Sequence, residues 1–453
     1  MQAAATRTLF LEGPILSTLF KLATPNAMAF LVQAGVNMTE VWYVGQLGRE
    51  SLAAMAFIFP GFMLVQMLAN GSFGGATTSA MARALGAGDT ARASQLVWHA
   101  LAIVGVAGVF FAAVFHLFGS GVLTVLGATG AIHDEALRYG TMAFSGAALM
   151  WAAALTNGCI RGTGNLRFPA MLMIVNALIQ VPLSGGLILG WFGMPKLGLV
   201  GAAVSNLVLA CVTTLVSLWK LAGPSTPVRL NWADCRLQWP LFRDILRVGA
   251  LAAFSPIFTI LTISVVNALI VGFGTATVAG YGIGARLEFL LVPMVFGFGM
   301  AMNAMVGMNI GNRNLVRAER IAFVGGLSSA IVTGVVGTSL AIFPGAWMNL
   351  FTSDAQVAAE GAKYLHFSGP VFAFQGMALA LYFASQGAGT VLWPVIANFA
   401  RFFVAGGAAA LCVHVFNTSV EWVFASIAAG MLANGAITAG AIHFGAWKRF
   451  HRF

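Results

Sequence analysis

Long stretches without any charged residue constrain the fold of this chain most. No Asp, Glu, Lys or Arg occurs within residues 93–133, 248–285 or 364–400. Hydrophobic residues make up 59% of the chain and charged residues only 8%, whereas a soluble domain carries about a quarter charged residues. Since about 20 apolar residues suffice to cross a bilayer, each stretch can contain a span. The sequence therefore predicts an integral membrane protein.

The apolar segments and the breaks between them predict an all-α membrane fold with about twelve transmembrane helices. The predicted helices are 15–44, 52–82, 94–119, 133–159, 168–192, 198–221, 243–272, 277–308, 318–344, 357–384, 391–415 and 419–446. The segment 223–242 has two early prolines, three charges and no spanning run, which indicates a cytoplasmic linker. We therefore predict an N-terminal lobe over residues 1–222 and a C-terminal lobe over residues 243–453.

The chain also repeats itself at an offset of 225 residues. The segment NGCIRGTGNLRFPAMLMIVN at 157–176 aligns with YFASQGAGTVLWPVIANFAR at 382–401, and LGAGDTARA at 85–93 aligns with IGNRNLVRA at 310–318. The same offset maps Tyr139 onto Tyr364. A period of half the chain indicates two homologous lobes. With six spans each, the lobes would be parallel repeats, and such lobes commonly enclose a central substrate cavity.

The distribution of basic residues predicts the orientation. With the N-terminus inside, only Arg49, Arg138, Lys196 and Lys363 fall in predicted outer segments, while most of the other Lys and Arg residues fall in inner ones. By the positive-inside rule, both termini lie in the cytoplasm. The formal charge of +10 is then mainly a topology signal with contact to membrane lipids, and we expect no nucleic-acid partner.

Sequence motifs of enzymes are absent. The chain has no Walker motif, no HExxH and no G-x-S-x-G nucleophile elbow, and its seven histidines show no metal-ligand spacing. We therefore expect no enzymatic activity, no ATP hydrolysis, no cofactor and no bound metal.

Acidic residues are the most informative about function, because placing an ionisable group within a membrane span costs free energy. Of the thirteen acidic residues, eleven fall in predicted loops, at helix ends or in the linker, and Glu40 and Glu288 lie within spans. Glu40 ends a polar stripe with Asn26, Gln33 and Asn37, whose spacing places them on one helical face. The stripe has an alternative interpretation as hydrogen-bonding contacts between neighbouring helices. Such contacts do not require an ionisable group, so Glu40 is predicted to be functional.

Glu288 is open to two interpretations. Arg286 precedes it by two positions and does not share its helical face, and Arg401 is the other charge predicted deep in the second lobe. Glu288 either forms a structural pair with Arg401 or couples transport to ion flow. We group Gln33 with Arg286, Glu288 and Arg401 as candidate substrate-binding residues, the last three in the second lobe.

Several motifs together resemble the multidrug and toxic compound extrusion (MATE) transporters. They are the first helix with Pro25 followed by TEVWYVGQLGRESLAA, the loop ARALGAGDTARA and its twin GMNIGNRNLVRAER, and the turns RGTGNLRFP and QGAGTVLWP. The resemblance extends over nearly the whole chain. It implies two pseudo-symmetric six-helix bundles in a V-shaped arrangement. It also implies an antiporter that expels organic cations or lipophilic drugs in exchange for H⁺ or Na⁺.

The resemblance also assigns roles to residues. Glu40 matches the first-helix carboxylate of the family, which is usually aspartate. Asn176 matches a fifth-helix asparagine, and Gln180 stands where the DinF-like members carry an aspartate. Asn206 falls near a polar position of the sixth helix. With Asn37, these residues form the predicted cation-coupling site.

The coupling ion is predicted to be H⁺, with Na⁺ as the open alternative. Sodium-type relatives carry acids on helices seven and ten, whereas residues 250–272 and 365–385 contain none, so the resemblance is closer to the proton-coupled, DinF-like members. Burial favours the protonated form of Glu40, which can bond Asn176 or Gln180, and ionisation would attract a cation. Sodium would need several oxygen ligands, and amide and backbone oxygens remain available.

Three other functions are weighed against this one. A lipid or lipid-linked oligosaccharide flippase would share the doubled lobes but would be expected to carry more cationic cavity residues than Arg286 and Arg401. An intramembrane enzyme would need a catalytic dyad, and a channel would need a filter ring. We expect a monomer in the bacterial cytoplasmic membrane. Its partners are expected to be lipids and small cationic or lipophilic molecules, which suit Met and Phe side chains.

Overall fold

The helices predicted from the sequence are present in the computed structural model, which describes residues 2–224, 226–228, 230 and 235–450. Part of the predicted linker, including residues 231–234, lies outside the described residues. The α-helices are α1 (Gln2–Glu12), α2 (Ile15–Gly45), α3 (Arg49–Met67), α4 (Gly74–Gly86), α5 (Thr90–Val125), α6 (Gly130–Ser145), α7 (Ala147–Gly162), α8 (Arg167–Leu189), α9 (Leu199–Ala222), α10 (Trp239–Ala252), α11 (Phe254–Val271), α12 (Thr275–Gly311), α13 (Leu315–Ile342), α14 (Gly345–Met348), α15 (Ala355–Ser368), α16 (Phe372–Gly387), α17 (Leu392–Phe402), α18 (Ala409–His414), α19 (Val420–His443) and α20 (Ala446–Phe450).

The predicted number of about twelve spans is confirmed. Within the described part of the chain, ten helical segments are long and apolar enough to cross a membrane, and two bent helix pairs raise the number to twelve. The pairs are α6 with α7, bent by 41°, and α15 with α16, bent by 58°. Pro370 lies at the second bend, where a residue without a backbone N–H cannot continue the helix. The protein is a multi-pass, all-helical membrane protein.

The sequence repeat encodes the same local turn twice. Asp89 caps α5 by accepting a hydrogen bond from the Arg92 N–H at 2.8 Å, and its repeat equivalent Asn314 caps α13 through the Arg317 N–H at 3.0 Å. These side chains satisfy a backbone donor that the first helical turn leaves unpaired. The preceding residues Gly88 and Arg313 both have positive φ, 80° and 58°. The glycine-rich motifs thus reverse the chain between helices.

The described residues group into two compact units. The first comprises residues 1–8 and 28–249, and the second comprises residues 9–27 and 250–453. Helices α1, α2 and α10 therefore each contribute residues to both units. The division into lobes at residues 222 and 243 stays a prediction.

Ion pairs and hydrogen bonds explain why α2 and α10 are shared between the units. In the first unit, Arg83 and Arg92 bind the Asp244 carboxylate of α10 at 2.5 and 2.9 Å. In the second unit, Arg317 donates to the carbonyl oxygens of Phe10 and Gly13, just before α2. Arg92 and Arg317 are repeat equivalents. The repeated arginine therefore contacts α10 in the first unit and the segment before α2 in the second.

The predicted topology can be tested by labelling introduced cysteines. Ala87 and Asn312 are exposed repeat equivalents next to the two turns, and they have ordinary helical φ values of −72° and −81°. With the four native cysteines replaced, cysteines at both positions should react with an impermeant maleimide only from the cytoplasmic side. A cysteine at exposed Gln46, in a predicted outer turn, should react from outside. Labelling of position 87 or 312 from outside would contradict the topology.

Candidate functional site

Glu40 lies in a polar cluster in the first unit. Glu40 is 6% exposed and lies near the C-terminal end of α2. Its Oε1 accepts hydrogen bonds from Gln180 Nε2 at 2.7 Å and from Asn206 Nδ2 at 3.3 Å. Gln180 comes from α8 and Asn206 from α9, so three helices converge on one carboxylate. We call Glu40, Gln180 and Asn206 the carboxylate cluster.

Hydrogen bonds within the carboxylate cluster fix the orientation of both amides. Gln180 Nε2 also donates to Asn206 Oδ1 at 2.9 Å, and Asn206 Nδ2 donates to the Ala202 carbonyl at 2.9 Å. Both amides thereby present N–H groups to Glu40. Among the described residues, no Lys, Arg or His forms an ion pair with Glu40. A carboxylate held by neutral donors keeps its charge available for a proton or a cation.

The structure adds Tyr139 to this neighbourhood. Tyr139 of α6 is buried and lies within electrostatic reach of Glu40. The sequence shows Tyr139 as the repeat equivalent of Tyr364, but no polar pattern links it to Glu40.

Asn176 and Gln180 are the alternative hydrogen-bond partners expected for Glu40, and the hydrogen bond comes from Gln180. Asn176 lies one helical turn before Gln180 on α8, and its Nδ2 donates to Thr213 Oγ1 at 2.6 Å. Sequence analysis did not identify Thr213 of α9 as its acceptor. Of the three candidate partners on α8 and α9, Gln180 and Asn206 directly bond Glu40.

The other members of the predicted polar stripe form hydrogen bonds within α2. Gln33 Nε2 donates to Asn37 Oδ1 at 3.3 Å, and Asn37 is exposed. Asn26 Nδ2 donates to the Leu22 carbonyl at 2.9 Å. These contacts satisfy amide groups locally, and the roles predicted for Gln33 and Asn37 in coupling or substrate binding stay predictions.

The second unit contains the pair of charges predicted within its spans. Arg401 Nη2 of α17 lies 3.3 Å from Glu288 Oε1 of α12, with side chains 6% and 24% exposed. Arg286 is exposed instead, with its guanidinium 5.6 Å from the centre of the Phe351 ring. The structure therefore brings Glu288 and Arg401 together and leaves Arg286 apart, while the role of the pair stays a prediction.

No group of three His, Cys, Asp or Glu side chains that could bind a metal occurs among the residues that the structure describes. Around Glu40, two amides present N–H groups and not oxygens.

Comparisons with known proteins identify a family and several relatives. The MatE family model matches residues 25–184 and 252–409. The chain is 26% identical to an FAD transporter of Shewanella oneidensis over 77% of this chain and 76% of that protein. It is 24% identical to a probable multidrug resistance protein of Bacillus subtilis over 94% of this chain and 92% of that protein. A solved MOP superfamily transporter from Pyrococcus furiosus shares the fold, with a TM-score of 0.88 and 23% identity. The match covers 97% of this chain and 98% of that one.

Proposed function

Because the chain belongs to the MatE family of transport proteins, we propose that it is a secondary active multidrug antiporter. It exports organic cations or lipophilic drugs in exchange for H⁺. It acts as a monomer in the bacterial cytoplasmic membrane, with both termini in the cytoplasm. Multidrug resistance proteins among its relatives support this substrate class, and the segregation of basic residues supports the orientation.

The carboxylate cluster carries the proposal. Glu40 is an acidic side chain within a span, buried and free of an ion pair with any described basic residue. Intramembrane ionisable groups of this kind mark ion and substrate pathways. A proton and a cationic substrate cannot both neutralise one carboxylate. Mutually exclusive occupancy of Glu40 would couple their opposite movements.

The geometry favours H⁺ over Na⁺ as the coupling ion. Gln180 and Asn206 both turn N–H groups toward Glu40, and a sodium ion there would face these donors at close range. Protonation of Glu40 would instead weaken two hydrogen bonds and leave the amide network intact. The α2 segment that carries Glu40 contains Pro25, which removes a helical hydrogen bond and permits bending.

Flippase activity on lipids or lipid-linked oligosaccharides remains the alternative in this superfamily. Its large anionic substrate would require a strongly cationic cavity. Within the described spans, Arg401 is buried and already paired with Glu288, and Arg286 is exposed against Phe351. This arrangement supports drug export over flipping.

The coupling ion can be determined in proteoliposomes. Drug movement should be driven by an imposed pH gradient in sodium-free buffer and should stop when an ionophore collapses that gradient. An equal sodium gradient at constant pH should not drive it. Transport driven by sodium alone, or by neither gradient, would contradict the proposal.

A further inference from the structure

A buried histidine links α5 to the start of α10 within the first unit. His99 of α5 is 0% exposed. Its Nδ1 lies 2.8 Å from the carbonyl oxygen of Gln95, and its Nε2 lies 2.8 Å from the backbone nitrogen of Gln238, the residue before α10. His99 therefore joins backbone groups of two segments that are far apart in the sequence. We call residues 235–249, which belong to the first unit, the docking segment.

The two partners of His99 fix the protonation of its ring. A backbone carbonyl only accepts hydrogen bonds, and a backbone N–H only donates them. The Nδ1–H group therefore donates to the Gln95 carbonyl, and the unprotonated Nε2 accepts from the Gln238 N–H. This is the neutral form of the imidazole, because a protonated ring has donors on both nitrogens and no acceptor. The docking segment is thus bound to neutral His99.

The position of Gln238 makes this acceptor important. Its carbonyl oxygen accepts a hydrogen bond from the Phe242 N–H at 3.3 Å, so Gln238 is the N-cap residue of α10. Its own N–H has no partner in the helix, and His99 satisfies it. The Phe242 ring meets the imidazole edge to face at 4.6 Å. A second proton on His99 would therefore turn a hydrogen bond into a contact between two donors, beside an aromatic ring and the positive end of a helix.

A charged His99 would also lack a carboxylate partner. In the described part of the chain, no acid forms an ion pair with His99, and Asp244 of the docking segment is already shared by Arg83 and Arg92. Helix α5 packs against α4, α6 and α7, and α6 carries its acids in its first two turns, where His133 contacts Ser120 near the far end of α5. The titratable and charged groups of all these elements are Arg83 on α4, Arg92 and His116 on α5, His133, Asp134, Glu135, Arg138 and Tyr139 on α6, Cys159 and Arg161 on α7, and Cys235, Arg236, Arg243, Asp244 and Arg247 in the docking segment.

We propose that His99 is a pH sensor that releases the docking segment from α5 when the cytoplasm becomes acidic. Docking requires the neutral ring, and an imidazole in water gains its proton at about pH 6.5. Docking is therefore complete above this pH and is lost as the pH falls below it. The switch itself does not depend on the proposed antiport. Only its consequence rests on that function: a transporter that admits protons would be regulated by the cytoplasmic pH that it lowers.

The distance between two spin labels measures docking without substrate or ion gradient. One label is attached to the native Cys235, which is exposed, and the other to a cysteine at exposed Gln46 of the first unit, with the other three cysteines replaced. Double electron–electron resonance is recorded in lipid nanodiscs at pH values from about 8 to about 5, on both sides of the histidine titration. A docked segment gives a narrow distance distribution, and a released segment gives a broad one. Because no transport is needed, failure of the proposed antiport leaves the result interpretable.

The labelled protein with native His99 should change from a narrow to a broad distribution as the pH falls. The ratio of released to docked segment should rise by up to about tenfold per pH unit, as for uptake of one proton. His99→Gln should stay docked at every pH, because its Oε1 accepts from the Gln238 N–H and does not titrate. His99→Leu has no acceptor and should be released at every pH. His116→Gln, at an exposed histidine of the same helix, should behave like the protein with both histidines.

Three outcomes would overturn the proposal. A narrow distribution at every pH with native His99 would show that protonation does not release the segment. An equal pH response in His99→Gln would assign the release to another group, with Asp244 the first to examine. A narrow distribution in folded His99→Leu would show that docking does not need the acceptor. Size-exclusion chromatography checks folding, and if His99→Leu aggregates, the comparison of native His99 with His99→Gln decides.

Discussion

Replacing Glu40 with glutamine is expected to reduce proton-driven drug efflux to the level of protein-free vesicles. Glutamine keeps the shape of the side chain and can still bond the amides of Gln180 and Asn206, so the protein should fold and insert. It removes the titratable group of the carboxylate cluster. The measurement is efflux in proteoliposomes under an imposed pH gradient, normalised to the amount of inserted protein.

Glu40→Asp is the matched variant for that experiment. It keeps the ionisable group but withdraws it by one methylene from the 2.7 Å contact with Gln180, so partial transport is expected. The resemblance to relatives that use aspartate at this position supports the same outcome. Normal efflux by Glu40→Gln would place the coupling group elsewhere, with Glu288 the next candidate. A charge exchange between Glu288 and Arg401 would then separate coupling from structural pairing.

Substitution of Gly158 by valine is expected to have the largest effect on folding. A Cβ atom at Gly158 of α7 would lie 2.6 Å from the Gly74 carbonyl oxygen of α4. Because this oxygen belongs to the backbone, it cannot move aside as the end of a flexible side chain can. Thr78 Oγ1 also donates to the Gly158 carbonyl at 3.1 Å, so the close approach of α4 and α7 carries a hydrogen bond. Small residues permit such contacts between membrane helices. The loss of stability should exceed about 4 kcal/mol.

The control for this substitution is Gly105→Val on α5, where a Cβ atom would meet nothing within 4 Å. Fluorescence-detected size-exclusion chromatography of solubilised membranes compares the two variants. Gly105→Val should elute as a single sharp peak near the wild-type yield, whereas Gly158→Val should aggregate or disappear. Similar profiles for the two variants would show that α4 and α7 can separate at little cost.

Much of the fold was predictable because a bilayer leaves few options. Apolar segment length sets the spans, and the observed helices begin and end within a few residues of the predicted ones. The internal breaks were not predictable in the same way. The π-helical turn at Leu68–Phe73 lies inside a segment predicted as one helix. Its sequence LANGSF contains the short polar run Asn70-Gly71-Ser72 but no charge and no proline.

The candidate site was predictable in part. Glu40 stands out because an acid within a span is rare, and this follows from the sequence alone. Gln180 and Asn206 were predicted from the family resemblance and not from the residues alone. Amides in spans are common, and the direction in which their side chains point depends on how α8 and α9 are rotated about their axes. The same rotation turns Asn176 toward Thr213. The repeat marks Tyr139 as the equivalent of Tyr364, but nothing in the sequence links it to Glu40, because a buried tyrosine resembles any core aromatic residue.

Proton release on substrate binding tests the central claim most directly. The purified protein in weakly buffered solution is mixed with a saturating cationic dye, and a pH indicator reports the protons released. At a pH where Glu40 is mostly protonated, we predict release approaching one proton per protein molecule and none from Glu40→Gln, whose dye binding is measured in parallel. Equal release by Glu40→Gln and wild type, or dye binding by the wild type without release, would contradict the exchange of proton and substrate at Glu40.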